Sequence, residues 1–227
     1  MSWQEGFKQI PDKSVNLIIT SPPYNMGKKL HTGSNYMDTY NSYDDNLPEE
    51  DYQSGQIDFL NECFRVLKDD GSMFYNHKPR IRKGLTIHPL KWVFKSYFIL
   101  KQEIIWRTGS QNFDKIRFYP FTERVYWLTK NTKTKLFNSV GMSDIWEFKN
   151  SKRHKVHKAT FPVDLPYNII KCFDDAEIIL DPYMGIGTTA LAVNECNKED
   201  GKDRKYIGFE LDDTYVEIAN ERLVDVD

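Results

Sequence analysis

Within this 227-residue sequence, Thr20-Ser21-Pro22-Pro23-Tyr24-Asn25 brings together the groups with the most specific chemical use. The stretch follows Val15-Asn16-Leu17-Ile18-Ile19, an apolar run that reads as a buried strand. Two consecutive prolines stop that strand, stiffen the chain beyond it and supply carbonyls without N–H donors. Ser21 adds a side-chain oxygen and Tyr24 a flat face, which together make a small acceptor-rich pocket roofed by an aromatic ring. Such a pocket suits methylation of an exocyclic amine on a nucleobase, a poor nucleophile because its lone pair is delocalised into the ring. Ser21 Oγ and the Pro22 carbonyl could accept the two amine hydrogens, which favours a pyramidal nitrogen as charge builds in the transition state. Tyr24 could stack on a base taken out of a duplex. A proline-rich turn closing a strand has the same letters, and the tetrapeptide alone leaves both readings open.

A second motif lies far along the chain. Glu177-Ile178-Ile179-Leu180 reads as a compact strand, followed by Asp181-Pro182-Tyr183-Met184-Gly185-Ile186-Gly187-Thr188-Thr189 and a helix through Ala190, Leu191, Ala192 and Val193. Strand, glycine turn and helix form a ligand crevice at the carboxyl end of a parallel sheet. Gly185 and Gly187 would let the backbone approach a ligand closely. The third glycine of a dinucleotide fingerprint is missing, and so is the Gly-Lys-Ser/Thr of a triphosphate loop. The next strand, Tyr206-Ile207-Gly208-Phe209-Glu210, ends in an acid about twenty residues beyond the glycines, the spacing at which an acid meets a ribose hydroxyl. A nucleoside-containing cofactor without a diphosphate follows, and S-adenosylmethionine fits better than NAD.

The elements that must position these motifs can be read from pattern. Residues before Ser14 read as a short helix or turn. Asn25 to about Pro48 has poor periodicity and reads as a long loop, of the kind that serves as a lid or binding loop. A helix over Asp51 to Lys68 would bury Tyr52, Phe59, Leu60, Cys63, Phe64 and Leu67, with Gly71 marking its end. Ser72 to Asn76 reads as the next strand, Leu90 to Tyr97 as helical, and Gln102 to Trp106 and Arg124 to Thr129 as two further strands. Thr160-Phe161-Pro162-Val163-Asp164-Leu165-Pro166 opens a helix running to about Phe173, with Thr160 or Asp164 as its cap and Pro166 in the first turn. A closing helix places Val216, Ala219 and Leu223 on one face. The strand–helix–strand order implies an α/β fold with a parallel sheet.

Composition narrows the classes. The length fits one large domain or a domain with an insert. No apolar run approaches a membrane span, and the amino terminus lacks a signal-peptide pattern, which implies a cytoplasmic protein with no membrane partner. Cys63, Cys172 and Cys196 are isolated and odd in number, arguing against a disulfide framework or a zinc site. A net charge of −2 argues mildly against a protein that coats nucleic acid, while leaving room for local basic faces. Two such clusters stand out. The first is His77-Lys78-Pro79-Arg80-Ile81-Arg82-Lys83, at a strand end. The second includes Arg153, Lys155 and Lys158, in the densest positive run of the chain. Either could hold phosphates, and either could be a solvated face.

Ser-Pro-Pro-Tyr upstream of Asp-Pro-Tyr-Met-Gly-Ile-Gly-Thr-Thr resembles the beta class of amino DNA methyltransferases, in which the catalytic tetrapeptide precedes the cofactor glycines. Ribosomal RNA and release-factor methyltransferases mostly have the reverse order. The resemblance covers nearly the whole chain, from Leu17–Asn25 through Glu103–Trp106, Arg124–Lys130 and Thr160–Pro166 to Ile178–Thr189 and Ile207–Glu210. It implies a Rossmann-like methyltransferase fold: a mostly parallel seven-stranded sheet with helices on both faces and a permuted motif order. One domain would span residues 1–227, with residues 107–158 as a small target-recognition insert.

The same resemblance implies catalytic roles for Ser21, Pro22, Pro23 and Tyr24. It implies S-adenosylmethionine contacts from Phe161, Pro162, Asp181, Tyr183, Gly185, Gly187, Thr188 and Glu210. Double-stranded DNA would be the partner, held by Lys78, Arg80, Arg82, Lys83, Arg153, Lys155 and Lys158, in a restriction-modification setting. A homodimer is carried over from the class, and no metal is implied. In this family Ser-Pro-Pro-Tyr is typical of N4-cytosine enzymes and Asp- or Asn-Pro-Pro-Tyr of N6-adenine enzymes, so cytosine N4 is the expected target and adenine N6 the alternative. Carbon-5 methylation needs a cysteine nucleophile, and none of the three cysteines lies in a Pro-Cys loop.

Overall fold

A computed structural model describes residues 1–26, 45–108, 118–148 and 160–224. Seven strands form one sheet in the order β7-β5-β6-β2-β1-β8-β9, and β3 and β4 form a separate hairpin. β1 (Val15–Thr20) sits near the centre, parallel to both β2 (Leu67–His77) and β8 (Ile178–Asp181). β9 (Lys205–Gly208) extends the parallel ladder beyond β8. On the other side, β6 (Thr122–Thr129) runs antiparallel to both β2 and β5 (Ile99–Arg107), and β7 (Ile145–Trp146) closes the edge parallel to β5. β6 alone is antiparallel, so the sheet is mostly parallel. The paired β5–β6 ladder runs from Ile99↔Thr129 to Arg107↔Thr122.

Parallel strands covered on both faces need apolar side chains pointing both ways, and β1 provides them. Ile18 packs with Phe7, Tyr52, Phe59, Leu60 and Trp92, drawn from α1 (Trp3–Gly6) and the 3-10 turn after it, α2 (Glu49–Val66) and α3 (Leu90–Val93). Leu17 and Ile19 pack on the opposite face with Ile169, Ile170, Ala192 and Cys196. Those residues come from α4 (Asp164–Cys172) and α5 (Thr188–Asp200). α6 (Asp213–Val224) closes the described chain, burying Tyr215 and Ala219. Cys63, Cys172 and Cys196 are free and buried, as core residues. No helix among the described residues is long and apolar enough to cross a membrane, and no group of metal-ligating side chains gathers among them.

Several expectations need correction. α2 ends at Val66, not near Gly71, because Lys13 and Ser14 donate their backbone N–H groups to the Arg65 and Val66 carbonyls and satisfy the helix end without a glycine. Gly71 lies inside β2. A side chain there would sit 2.8 Å from Leu67 and 2.9 Å from the Asn16 carbonyl, next to the irregularity that shifts the β1–β2 register between Val15 and Leu17. The helix expected over Leu90–Tyr97 is one turn, Leu90–Val93. α4 begins at Asp164, with Val163 preceding it in helical conformation, so neither Thr160 nor Asp164 caps it through a side chain. β7 has no counterpart among the expected strands, since two residues carry no periodicity. Trp146 holds it to the sheet by packing against Phe74.

Candidate active site

Both motifs emerge from adjacent parallel strands at the centre of the sheet. From β1 the chain proceeds to β2 on one side, and from β8 to β9 on the other. This reversal is the topological switch point where open α/β sheets form their ligand crevice, outside the carboxyl ends of the strands. A hydrogen bond from Thr20 Oγ1 to Asp181 Oδ1, 2.8 Å long, ties the two strand ends together across 161 residues of sequence.

Asp181 is the centre of that tie. It is 1% exposed, and its other oxygen accepts from Thr189 Oγ1 at 2.7 Å, while Oδ1 also takes the Tyr183 N–H at 3.2 Å. The expected side-chain contact with a cofactor therefore gives way to a positioning role, because the carboxylate is turned inward onto the two motifs. Burial pushes its pKa up from 3.8 to about 6, against the lowering effect of the three hydrogen bonds. A carboxylate raised on folding stabilises the protein fully below its unfolded value, and the contribution is lost as pH rises through the folded one. Replacing Asp181 with Asn removes this titration. The stability advantage of wild type over Asp181→Asn should then shrink by about 3 kcal/mol between pH 4 and 7. Urea unfolding of both proteins at pH 4, 5.5 and 7 measures it, and a constant difference would mean that the folded value is not displaced.

The glycine turn has two separate uses. Gly185 (φ 51°) and Gly187 (φ 75°) both adopt left-handed conformations. A Cβ on Gly187 would lie 2.9 Å from the Ala219 Cβ, so this glycine admits α6 against the start of α5 instead of a ligand. Gly185 donates its N–H to Glu210 Oε2 at 3.0 Å, and Glu210 Oε1 accepts from the Leu211 and Asp212 N–H groups at 2.8 and 3.0 Å. The acid is thereby held at the glycine turn, beside the crevice. Tyr206 Oη is buried there without a hydrogen-bond partner among the described residues, and it crowds the position of a Gly208 Cβ at 2.5 Å. Burial pushes its pKa well up, helped by the charges of Asp181 and Glu210. A fixed acid, an open glycine turn and an unused buried hydroxyl fit a polar nucleoside ligand. Phe161 is partly buried against the α4–α5 side of the core, Pro162 is buried just before α4, and Tyr183 packs its ring 5.0 Å from Phe59. Thr188 is buried at the start of α5.

At the end of β1, Ser21 Oγ and Tyr24 Oη lie 2.9 Å apart, and both reach Asn76 Oδ1, at 3.1 and 2.9 Å. Asn76 belongs to β2, next to β1. Its Nδ2 donates to the Arg124 carbonyl at 3.0 Å, which fixes the amide with its oxygen toward Ser21 and Tyr24. Tyr24 Oη also donates to Glu123 Oε2 at 3.0 Å. The Tyr24 ring stacks on His77 with centroids 4.4 Å apart, and Lys78 Nζ stands 5.5 Å from its centroid. The expected aromatic roof is thus a ring laid on a histidine and pinned at its hydroxyl.

His77 is fully buried, and burial drives its pKa well below the usual imidazole value, so the ring is neutral. Tyr52 Oη lies 2.7 Å from His77 Nε2 and donates to the Pro23 carbonyl at 2.8 Å. With Nε2 protonated and Nδ1 accepting the Lys78 N–H at 2.8 Å, every group in this chain is satisfied. The Pro23 carbonyl is therefore engaged from beneath.

The first basic cluster divides. Arg80 is 2% exposed, forms a two-pronged pair with Glu49 at 2.8 and 3.0 Å, and lies over the rings of Tyr52 and Trp92 at 4.7 and 5.7 Å. It is a structural cation, and the expectation that it meets DNA phosphate is corrected by its burial. Arg82 Nη2 donates to the Asn25 carbonyl at 2.9 Å and also lies near Glu49. Lys83 is exposed in the two-residue Lys83-Gly84 turn, where both residues have positive φ. That turn joins β3 (Arg80–Arg82) to β4 (Leu85–Ile87). Lys78 is half-buried at the rim beside Tyr24 and Glu123, 3.9 Å from the latter. Arg153, Lys155 and Lys158 lie outside the described residues.

Sequence reasoning missed Asn76 and Glu123. Asn76 could have been found as the carboxyl-end residue of the strand following the catalytic one. Glu123 reaches the site only because β6 runs backwards, which no local pattern announces.

A profile of the DNA methylase family of N6 and N4 methyltransferases matches residues 15–221, and the chain belongs to this family. Among similar proteins, the type II methyltransferase M.HpaI of Haemophilus parainfluenzae is 29% identical over 96% of this chain and 71% of its own length. M.BglII of Bacillus subtilis is 26% identical over 92% of this chain and 64% of its own length. The chain thus spans about two thirds of these curated relatives. The PvuII cytosine-N4-specific DNA methyltransferase superposes with a TM-score of 0.74 at 21% identity, covering 100% of this chain and 89% of that one. A DNA modification methylase from Thermus thermophilus, complexed with S-adenosyl-L-methionine, gives 0.66 at 20% identity, over 99% of this chain and 92% of that one. These likenesses agree with the α/β architecture expected from the motifs.

Proposed function

We propose that this protein transfers a methyl group from S-adenosylmethionine to the exocyclic N4 of cytosine in double-stranded DNA. The observation that carries this reading is the orientation of Asn76. With its Oδ1 facing Ser21 and Tyr24, the seryl hydrogen has an acceptor inside the protein. Ser21 Oγ is left with lone pairs for an amine hydrogen, and the Pro22 carbonyl can take the other. As charge develops on the amine nitrogen, both bonds strengthen, so they act in the transition state more than in the ground state. Tyr24 and the buried His77 beneath it offer a rigid aromatic platform for a flipped base.

S-adenosylmethionine supplies the methyl group as a sulfonium electrophile. Gly185 and Glu210 would hold its nucleoside, with Tyr206 Oη as a further donor and the Phe161-Pro162 segment beside them. Asp181 and Thr20 keep that site in register with Ser21, which is how orientation lowers the barrier. A neutral serine, with no carboxylate or carboxamide at that position, favours cytosine, as does the named specificity of the PvuII enzyme. Lys78 and Lys83 are the described cations of the first cluster placed to meet phosphate, and residues 107–158 are assigned to target recognition.

The test incubates purified protein with labelled S-adenosylmethionine and unmethylated DNA of mixed sequence, then identifies the modified nucleoside by mass spectrometry. N4-methylcytosine is expected. N6-methyladenine would keep the family chemistry but remove Ser21 as the determinant of the base. No methylated nucleoside would overturn the reading.

A further inference from the structure

We propose that Glu123 is the terminal acceptor of the proton released by the amine, reached through Tyr24. The inference rests on the amino-methylation reading above. An exocyclic amine that gains a methyl group becomes cationic and must lose one hydrogen. Ser21 Oγ, the group assigned to that hydrogen, is 2.9 Å from Tyr24 Oη, and Tyr24 Oη is 3.0 Å from Glu123 Oε2. The balance closes within these three residues. As the N–CH3 bond forms and the methyl–sulfur bond breaks, the amine proton passes to Ser21 Oγ. The seryl proton passes to Tyr24 Oη, and the tyrosyl proton to the Glu123 carboxylate, which later returns it to water. Ser21 and Tyr24 end the cycle as they began it. Glu123 touches no reacting atom and acts only through Tyr24.

The surroundings of Glu123 support a carboxylate kept for this purpose. Arg124, its chain neighbour, spends its guanidinium on Glu103 at 3.0 Å and on Thr122 and the Glu123 backbone carbonyl. Arg107, opposite Thr122 on β5, pairs with Glu147. Trp106 is the β5 residue opposite Glu123 and carries no charge. From the β2 side, Asn76 is neutral, and Lys78 at 3.9 Å is the cation that faces the carboxylate. Lys78 lies beyond hydrogen-bond distance, so it favours the charged form without taking the place of Tyr24.

The test is a double-mutant cycle on full-length protein with DNA and S-adenosylmethionine, read as single-turnover methylation. Glu123→Gln should slow methylation about 100-fold, at unchanged KM for both substrates, and should abolish the fall in rate on the acid side of the pH profile. Tyr24→Phe, which keeps the ring, should cost a similar factor, and adding Glu123→Gln to it should cost nothing more. A purely structural role through Lys78 would survive in the Tyr24→Phe background, so an equal loss there would overturn the relay. So would a Glu123→Gln rate within about twofold of wild type.

An independent readout uses protein labelled with 13C at tyrosine Cζ, without DNA or cofactor. The Tyr24 signal, identified by its loss in Tyr24→Phe, should move with pH in wild type and stay fixed in Glu123→Gln; a wild-type signal indifferent to pH would overturn the relay. An active wild type with an unaffected Glu123→Gln rejects the relay alone. A folded wild type that methylates no DNA rejects the parent reading and the relay with it.

Discussion

Replacing Ser21 with Ala should lower the methylation rate by about 100- to 1000-fold while leaving S-adenosylmethionine affinity within about twofold of wild type. The magnitude follows from what is removed. Ser21 Oγ is one of two acceptors aimed at the amine, and its bond gains strength as the nitrogen becomes cationic, so its loss falls on kcat instead of on ground-state binding. Cofactor affinity should hold because the expected cofactor groups lie on the β8 and β9 turns, joined to β1 through Thr20 and not through Ser21. Folding should hold too. Ser21 is half-buried, and its partner Asn76 keeps the bonds to Arg124 and Tyr24. Single-turnover rates and calorimetric titration of the cofactor separate the two effects. A variant with wild-type turnover would show that the Pro22 carbonyl suffices and that Ser21 has another task.

The second large effect concerns stability. Arg80→Ala should cost about 3–5 kcal/mol, because it leaves Glu49 without its two-pronged partner and opens a gap beneath Tyr52 and Trp92. For a chain of this size the melting temperature should fall by about 10 °C. Arg82 remains near Glu49 at 3.7 Å and softens the loss without replacing it. Lys78→Ala should behave in the opposite way. It should leave the melting temperature nearly unchanged, weaken DNA binding, and reduce the slope of log affinity against log salt by about one unit. Thermal melts and salt-dependent DNA binding on both variants decide the matter. If Arg80→Ala melted like wild type and lost a salt-dependent DNA contact, the structural role of Arg80 would be wrong.

Arg80 also shows where reading the sequence reaches its limit. Central strands were legible because burial on both faces leaves a continuous apolar run, as in Leu17-Ile18-Ile19 and Ile178-Ile179-Leu180. The order of the motifs carried the family, because catalytic tetrapeptide and glycine turn are each short and local. What stayed hidden was non-local. Arg80 looked like its neighbours Lys78 and Lys83, and only the arrival of Glu49, Tyr52 and Trp92 from two helices turned it inward. Gly71 looked like a helix stop, and only the register of β1 against β2 revealed that it clears space for Leu67 and the Asn16 carbonyl. Asp181 looked like a ligand for the cofactor until Thr20 and Thr189 claimed its oxygens. Gly187 looked like a ligand approach and proved to be a packing contact with Ala219.

The reversed strand β6 has a consequence for how such a protein could change its target. Because β5 and β6 zip together from Ile99↔Thr129 to Arg107↔Thr122, the chain leaves the sheet and rejoins it at neighbouring points on the rim that carries Glu123 and Tyr24. Lengthening the segment between those points costs only loop-closure entropy, roughly 0.6 kcal/mol for each doubling in length. A reading module can therefore be swapped, shortened or expanded there without re-registering any strand beneath the methyl-transfer chemistry. New recognition sequences could be acquired by exchange of a single contiguous cassette, leaving the catalytic floor inherited intact.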